Sequence, residues 1–478
     1  MATDQENNQR FTLTKTVSVY PKALHPPTLL SLSNIDRHCP ALTYLVLFYP
    51  SRTHQNTSAQ SLFRALKIGM EETLSIWFPA AGRITFNQTD GRLDLLCNNA
   101  GAVLVEKVTQ LKISEIGDLS QYNEFYENLV CKPVFNGNFS EMPLVTAQVT
   151  MFGCGGYAVG VGTSHALFDA SATFNFLSVW ASKTTMRVDG GSDELHEAVL
   201  HDRGPLLVGF RRSQHHITRL HNKPNHPVTR VAAFDHLHLL MKQAASDWSL
   251  DSEMMLGGCK LSEMASSSQE NYTPSSFHVG SEMVESLKRK TSHACSSFDV
   301  VTAHLWKART KTLGLRKERM VCLQFAVDAR NRMVPPLPRG FSGNAYVLAS
   351  VCCTAGELEG ASYDSIIQKI MEAKRSVNND YVNAYLETLE ALPPQTSPQA
   401  SLPPLKELTM VSDWTRTPFH KVDFGQGEAA SASPLVYPLP QVAFFMQKPQ
   451  ETRSIDVRIG LLPQYLKAFS HYFLTELQ

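Results

Sequence analysis

Residues 157–182 read YAVGVGTSHALFDASATFNFLSVWAS. The period of the apolar residues changes within this stretch. Tyr157 to Val161, like the preceding Thr146 to Thr150, is apolar or alternating and rich in β-branched residues, which predicts strands. From Asp169 to Ser182, Ala170, Phe174, Leu177, Val179 and Trp180 fall at helical spacing. The chain therefore passes from a strand, through a turn, into a helix. Gly160 and Gly162 thin the strand, so that another backbone or a ligand can come close. His165 stands in the turn, where an imidazole can reach a cleft. Its ordinary pKa of ~6.5 suits a general base at neutral pH. A satisfied structural histidine is the competing reading. His-x-x-x-Asp occurs here in a chain with 17 histidines, so the spacing does not decide between them.

Working outward, Thr12–Tyr20, Thr43–Tyr49, Leu93–Cys97 and Ala102–Val108 read as strands. Ser58–Trp77 reads as a helix with Leu62, Leu66, Met70 and Leu74 on one face, and Phe78 to Arg83 ends it with Pro and Gly. Periodicity fails from His201 to Val228, where basic residues, histidines and three prolines gather. This stretch is expected to be a crossover linker, 201–230, between an N-terminal domain, 1–200, and a C-terminal domain, 231–478. The second half has helical patterns at Ser281–Lys290, Phe298–Thr312, Ile366–Asn378 and from Pro463 onward. Strand patterns lie at Val321–Val327, Ala345–Cys353 and Ile455–Ile459. Leu392–Pro404 holds five prolines and is expected to be a loop. Both halves mix strands and helices, so the fold class is α/β (mixed α+β) in two domains with a cleft between them.

Composition narrows the functional classes. The chain has 478 residues, 43% of them hydrophobic, enough for more than one core. Forty-four basic residues balance 44 acidic ones, so nothing points to nucleic acid or an anionic membrane as partner. No apolar run approaches the ~20 residues of a transmembrane helix. Met1 to Arg10 is polar, lacks a signal-peptide core and is expected to be disordered. Nine scattered cysteines, with only Cys352 and Cys353 adjacent, suggest reduced thiols in a cytoplasmic protein without a zinc site. His215-His216 reads as an exposed polar loop, so no metal is expected.

A second signature lies far downstream, where Ser412-Asp413-Trp414-Thr415-Arg416 leads to Asp423-Phe424-Gly425-Gln426-Gly427. Together with His165-Ala166-Leu167-Phe168-Asp169 it resembles the plant BAHD acyl-CoA-dependent acyltransferases, the HXXXD-type family. Phe78–Arg83, Asp328–Arg332 with Pro335–Pro338 and Gly343-Asn344, and Trp306 are similar to further blocks of that family. The five blocks match in order and spacing over nearly the whole chain. Thr14–Tyr20 and Ser33–Tyr49, with Asp36-Arg37-His38-Cys39-Pro40, look most like the brassinosteroid-related branch.

The resemblance implies a two-domain fold like chloramphenicol acetyltransferase, with a crossover loop, an interdomain channel and the histidine midway along it. It implies a monomer of plant specialised metabolism, with acyl-CoA as co-substrate and no permanently bound cofactor. His165 would take the proton from an acceptor hydroxyl or amine in a ternary complex, without an acyl-enzyme. The candidate catalytic set is His165, Asp169 and Asp423. Asp169 could orient the imidazole as a triad carboxylate does; the resemblance instead implies a structural pair with an arginine that the sequence does not identify. Ser412 could donate to the oxyanion or cap a turn, and Trp414 could line the pocket or the core. Asp423, Phe424, Gly425 and Gly427 are implied to shape the CoA side through a tight turn. Arg330, Arg332 and Arg416 could meet CoA phosphates or form salt bridges.

Gln426 departs from the family, which has tryptophan there, and this keeps a rival open: a non-catalytic partner of fatty-acid elongation enzymes in wax synthesis. A hydrolase is less favoured, for want of a Gly-x-Ser-x-Gly elbow at a strand-to-helix turn. Leu392–Thr409 offers only Lys406 as a cation, which disfavours an anionic acceptor. The expected product is an ester, and the preferred acceptor is an apolar steroid or fatty alcohol.

Overall fold

A computed structural model describes residues 10–37, 42–51, 59–89, 91–133, 140–189, 198–207, 272–391, 407–435, 442–448, 451 and 453–475. Most of the N-terminal decapeptide, His38 to Pro40, the crossover from 208 onward with His215-His216, and 392–406 with Lys406 lie outside them. The chain divides into two units. One comprises Met1–Pro205, Pro338–Asn344 and Thr417–Val436; the other comprises Leu206–Leu337, Ala345–Arg416 and Tyr437–Gln478.

The first unit contains β1 (Thr12–Val19), β2 (Thr28–Leu30), α1 (Asn34–Arg37), β3 (Leu42–Tyr49), α2 (Ala59–Ile76), β4 (Arg83–Phe86), β5 (Leu93–Cys97), β6 (Ala102–Val108), β7 (Val145–Met151), β8 (Tyr157–Ser164) and α3 (Ala170–Asp189). Its large sheet runs β1-β6-β7-β8-β3 and ends on Ser431–Leu435. Only β6 and β7 pair in parallel. A small sheet runs β2-β5-β4. β8 is buried on both faces, which is why it reads as an apolar run rather than an alternation. A side chain at Gly160 would collide with the Leu129 carbonyl, so what the glycine admits is another backbone. Leu62, Leu66, Met70 and Leu74 of α2 are all buried. The Trp180 indole of α3 donates to the Leu66 carbonyl at 2.9 Å, fixing α3 on α2.

Two expected boundaries are corrected. A cut at residue 200 would sever His201 to Pro205 from the unit they belong to. Leu200 bridges to Phe341, and the side chain of Arg203 is 1% exposed. The Asp423–Gly427 motif, expected in the C-terminal domain, belongs to the first unit, because Ser431–Leu435 pairs antiparallel with β3 and carries the motif along.

The second unit contains β9 (Thr273–Val279), α4 (Ser281–Lys288), α5 (Ser297–Leu313), β10 (Met320–Asp328), β11 (Tyr346–Thr354), α6 (Ala355–Gly360), α7 (Tyr363–Ser376), α8 (Asn379–Ala391) and β12 (Leu408–Asp413). After the strand lent to the first unit, β13 (Ser431–Leu435), it adds β14 (Val442–Met446), β15 (Ile455–Leu461) and α9 (Pro463–Leu474). Its sheet runs β11-β10-β12-β14-β15-β9, with β10, β12 and β14 parallel. α5 starts at a capping box of Ser296 and Asp299 and stops at Gly314, whose φ of 58° suits glycine. It buries Trp306 and Arg309, and the Arg309 guanidinium donates to Thr409 of β12 at 3.1 Å. Among the described residues no helix is long and apolar enough to cross a membrane.

Candidate active site

The turn after β8 is held from both ends. The Ser164 N–H donates to the Leu144 carbonyl at 2.8 Å, and the Leu167 and Phe168 N–H groups both return to the Ser164 carbonyl at 3.0 Å. Ala166, Leu167 and Phe168 are buried; the Phe168 ring stacks on Trp77 at 5.5 Å and meets Phe176 at 5.3 Å. Asp169 caps α3, its Oδ1 accepting the Ala172 N–H at 2.9 Å, and sets a negative charge at the positive end of the helix. His165 is the one residue from 165 to 169 that keeps appreciable exposure. Burial lowers its pKa. A hydrogen bond with its own backbone, the charges of Asp169 and Asp36, and Asn344 oppose that fall without cancelling it. The imidazole is therefore neutral at pH 7, the state a base requires.

Beneath the turn lies a buried polar chain. Asn344 Nδ2 donates to the His165 carbonyl and to Asp36 Oδ1, each at 2.7 Å. Both acceptors are oxygens, which fixes the orientation of the amide. Asp36 is fully buried; it accepts also from the Asn344 N–H, the Ser33 N–H, the Ser33 hydroxyl and Arg203 Nε. Arg203 Nη1 continues to the His201 carbonyl at 3.0 Å and to Ser342 Oγ at 3.3 Å, and its guanidinium lies over Phe341. His201 Nε2 meets the Ile76 carbonyl at 3.0 Å, so the proton sits on Nε2, and Nδ1 accepts from the Ser342 hydroxyl at 2.7 Å. Burial lowers the His201 pKa to about 4, which keeps it neutral.

The sequence did not single out Arg203, Ser342 or His201 for this site, and it used Asp36 and Asn344 only as landmarks of resemblance. The signal available was the Gly343-Asn344 block. A side chain at Gly343 would strike the Arg203 guanidinium. Among the described residues Arg203, whose side chain is 1% exposed, meets Asp36.

Asp423 organises its own loop. Its Oδ1 accepts the Gly425 and Gly427 N–H groups, both at 2.7 Å, and these glycines have φ of 99° and 88°. Such angles favour glycine, as the Gly-x-Gly pattern predicts. Phe424 is buried edge-on against Trp180 at 4.8 Å, and Gln426 is also buried. Arg83 of the Phe78–Arg83 block serves the backbone, donating to the carbonyls of Gly82, Ala100 and Gly101.

The remaining candidates are in the second unit. The Trp414 indole N–H donates to Ser412 Oγ at 3.0 Å, and Trp414 stands edge-on to Phe444. Arg330 pairs with Asp328 at 3.4 Å, and Arg332 donates to the Val377 carbonyl just past α7 at 3.3 Å. Arg416 is exposed and lines a cavity of about 220 Å³ with Ser297, Thr415, Arg453 and Ser454.

This strand–turn–helix site agrees with comparisons to known proteins. The family described as Transferase family matches residues 10–475. "Brassinosteroid-related acyltransferase 1" of Arabidopsis thaliana is 45% identical over 97% of this chain and 98% of its own length. "Fatty alcohol:caffeoyl-CoA acyltransferase" of the same plant is 29% identical over 95% of each. The crystal structure of vinorine synthase, 20% identical, superposes with a TM-score of 0.68 over 97% of this chain and 98% of that one. The chain belongs to this transferase family, the BAHD acyltransferases, and is an acyltransferase of mixed α/β fold. These relatives are named for acyl transfer, which lends no support to the non-catalytic wax-synthesis partner.

Proposed function

We propose that the protein moves an acyl group from acyl-CoA to the hydroxyl of an apolar acceptor, with His165 as general base. The observation that carries this reading is the His165 turn: a half-buried histidine whose pKa burial lowers, flanked by buried residues and braced by Asn344 and Asp36. The imidazole takes the proton of the acceptor hydroxyl as its oxygen attacks the thioester carbonyl. The tetrahedral oxyanion collapses, the C–S bond breaks, and the imidazolium returns the proton to the CoA thiolate. Both substrates are bound together, so no acyl-enzyme is needed.

Ser412 is assigned to the oxyanion. Its oxygen accepts from the Trp414 indole, which leaves the hydroxyl hydrogen for another acceptor. One such donor is worth about 3 kcal/mol of barrier. Arg416, which lines a cavity with Arg453 and the first residues of α5, is the arginine proposed to meet a CoA phosphate, whereas Arg330 pairs with Asp328 and Arg332 with the Val377 carbonyl. Relatives named as brassinosteroid-related and as acting on a fatty alcohol support an apolar hydroxylated acceptor.

Release of CoA thiol from acetyl-, lauroyl- and p-coumaroyl-CoA, each with a hydroxylated steroid, a long-chain primary alcohol or a diamine, tests this assignment. Release that depends on the steroid or the alcohol is expected. Release with the diamine alone would overturn the acceptor class.

A further inference from the structure

Cys322 and Cys352 are register partners in the antiparallel pair β10–β11. Residues directly opposed in such a pair have Cα atoms ~4.5–5.5 Å apart and side chains on one face, within the ~4.4–6.8 Å that a disulfide spans. The two sulfurs lie 3.3 Å apart and share a hydrogen bond. Cys322 is buried, whereas Cys352 is exposed on β11, the edge strand of its sheet. Alternation places Cys353 on the opposite face, where burial pushes its thiol up to about 11 against the opposing charge of Lys369. The hydrogen bond with Cys322 lowers the pKa of Cys352, while the same bond and burial raise that of Cys322. Reactivity is thus concentrated on the member that solvent can reach.

We propose that Cys322 and Cys352 are a modification site, a dithiol that closes reversibly to a disulfide when the folded protein meets a low-molecular-weight disulfide such as oxidised glutathione. The Cys352 thiolate attacks one sulfur of oxidised glutathione and expels one glutathione thiolate. Cys322 then loses its proton and attacks Cys352 Sγ, expelling the second. One disulfide is reduced, one forms, and two molecules of reduced glutathione leave. Rotation about side-chain bonds closes the remaining gap, because the strands already hold the Cα atoms in range. A resolving thiol this close spares Cys352 from irreversible over-oxidation.

The test incubates the folded full chain with oxidised glutathione, alkylates the remaining thiols, and maps the digest by mass spectrometry without reduction. The expected product joins the Cys322 and Cys352 peptides at a mass two hydrogens below their sum, and seven of the nine thiols remain titratable after denaturation. Cys322→Ser is expected to trap Cys352 as a lasting mixed disulfide with glutathione. The inference is overturned if wild-type Cys352 stays glutathionylated beside an alkylated Cys322, if Cys352 joins Cys353 instead, or if other thiols oxidise while this pair remains reduced.

Discussion

Replacing Asp36 by alanine removes the one carboxylate that Arg203 contacts among the described residues. The Asp36 side chain is 0% exposed and that of Arg203 is 1% exposed, so water cannot take the place of the lost charge. Five donor groups from Ser33, Arg203 and Asn344 converge on Asp36 and lose their acceptor. Breaking one half of a buried ion pair typically costs ~3–5 kcal/mol, against ~0–1 for an exposed pair. With a urea m-value of about 2–3 kcal/mol/M, the midpoint of the first unit's unfolding should fall by roughly 1–2 M. Asp36→Leu combined with Arg203→Met, which removes both charges and keeps apolar volume, should recover most of that loss. Equilibrium urea unfolding followed by tryptophan fluorescence reads both effects, since Trp77 and Trp180 are buried in this unit. A loss below about 1 kcal/mol for Asp36→Ala, or a double variant no more stable than the single one, would refute the view that this pair braces the His165 turn.

Other outcomes follow from the same geometry. Asn344→Ala frees the His165 carbonyl and should lower kcat by roughly 10–100-fold with little change in KM, measured by steady-state thiol release. His201 has a folded pKa of about 4 against an ordinary 6.5, so the unfolded chain binds its proton first on acidification. Stability is therefore complete above about pH 6.5 and is lost as pH falls toward 4, by up to roughly 3 kcal/mol; a series of urea midpoints should show this slope, flattened in His201→Gln. Because burial lowers the His165 pKa, the acid limb of kcat/KM should lie below the ordinary histidine value, and a pH–rate profile reads it directly. Asp423→Ala strips two glycine N–H groups of their acceptor and should cost about 2–4 kcal/mol in thermal unfolding, whereas Asp423→Asn, which can still accept, should keep most of it.

The parts of the fold legible in the sequence were those where local pattern and tertiary role coincide. β5 and β6 fall on the residues read as strands from the sequence, and β8 into α3 follows from the change of period. Short central strands were not legible. β12 and β14 are almost wholly buried, so neither alternates, and both are six residues or fewer. β13 reads SASPL; its Pro434 argues against a strand, yet β13 is the edge of its sheet, where proline is tolerated. α8 was missed beside the proline-rich stretch that follows it.

In the site, His165 and Asp169 were visible because both belong to one turn. The brace was not, because Asp36, Arg203 and Asn344 lie on three distant segments that only the fold brings together. No periodicity marks a buried arginine that will find its carboxylate 167 residues away. The Asp423 loop was legible as a tight turn, but its membership of the first unit depends on the pairing of β13 with β3.

Turnover of His165→Ala beside wild type, on an acyl-CoA and a hydroxylated acceptor that the wild type uses, bears most directly on the role of His165. The two proteins should share circular dichroism spectra and unfolding midpoints. The account predicts that the variant loses ~10²–10⁴-fold in kcat while acceptor binding persists. A folded variant that keeps a wild-type rate would contradict the assignment of His165 as the base.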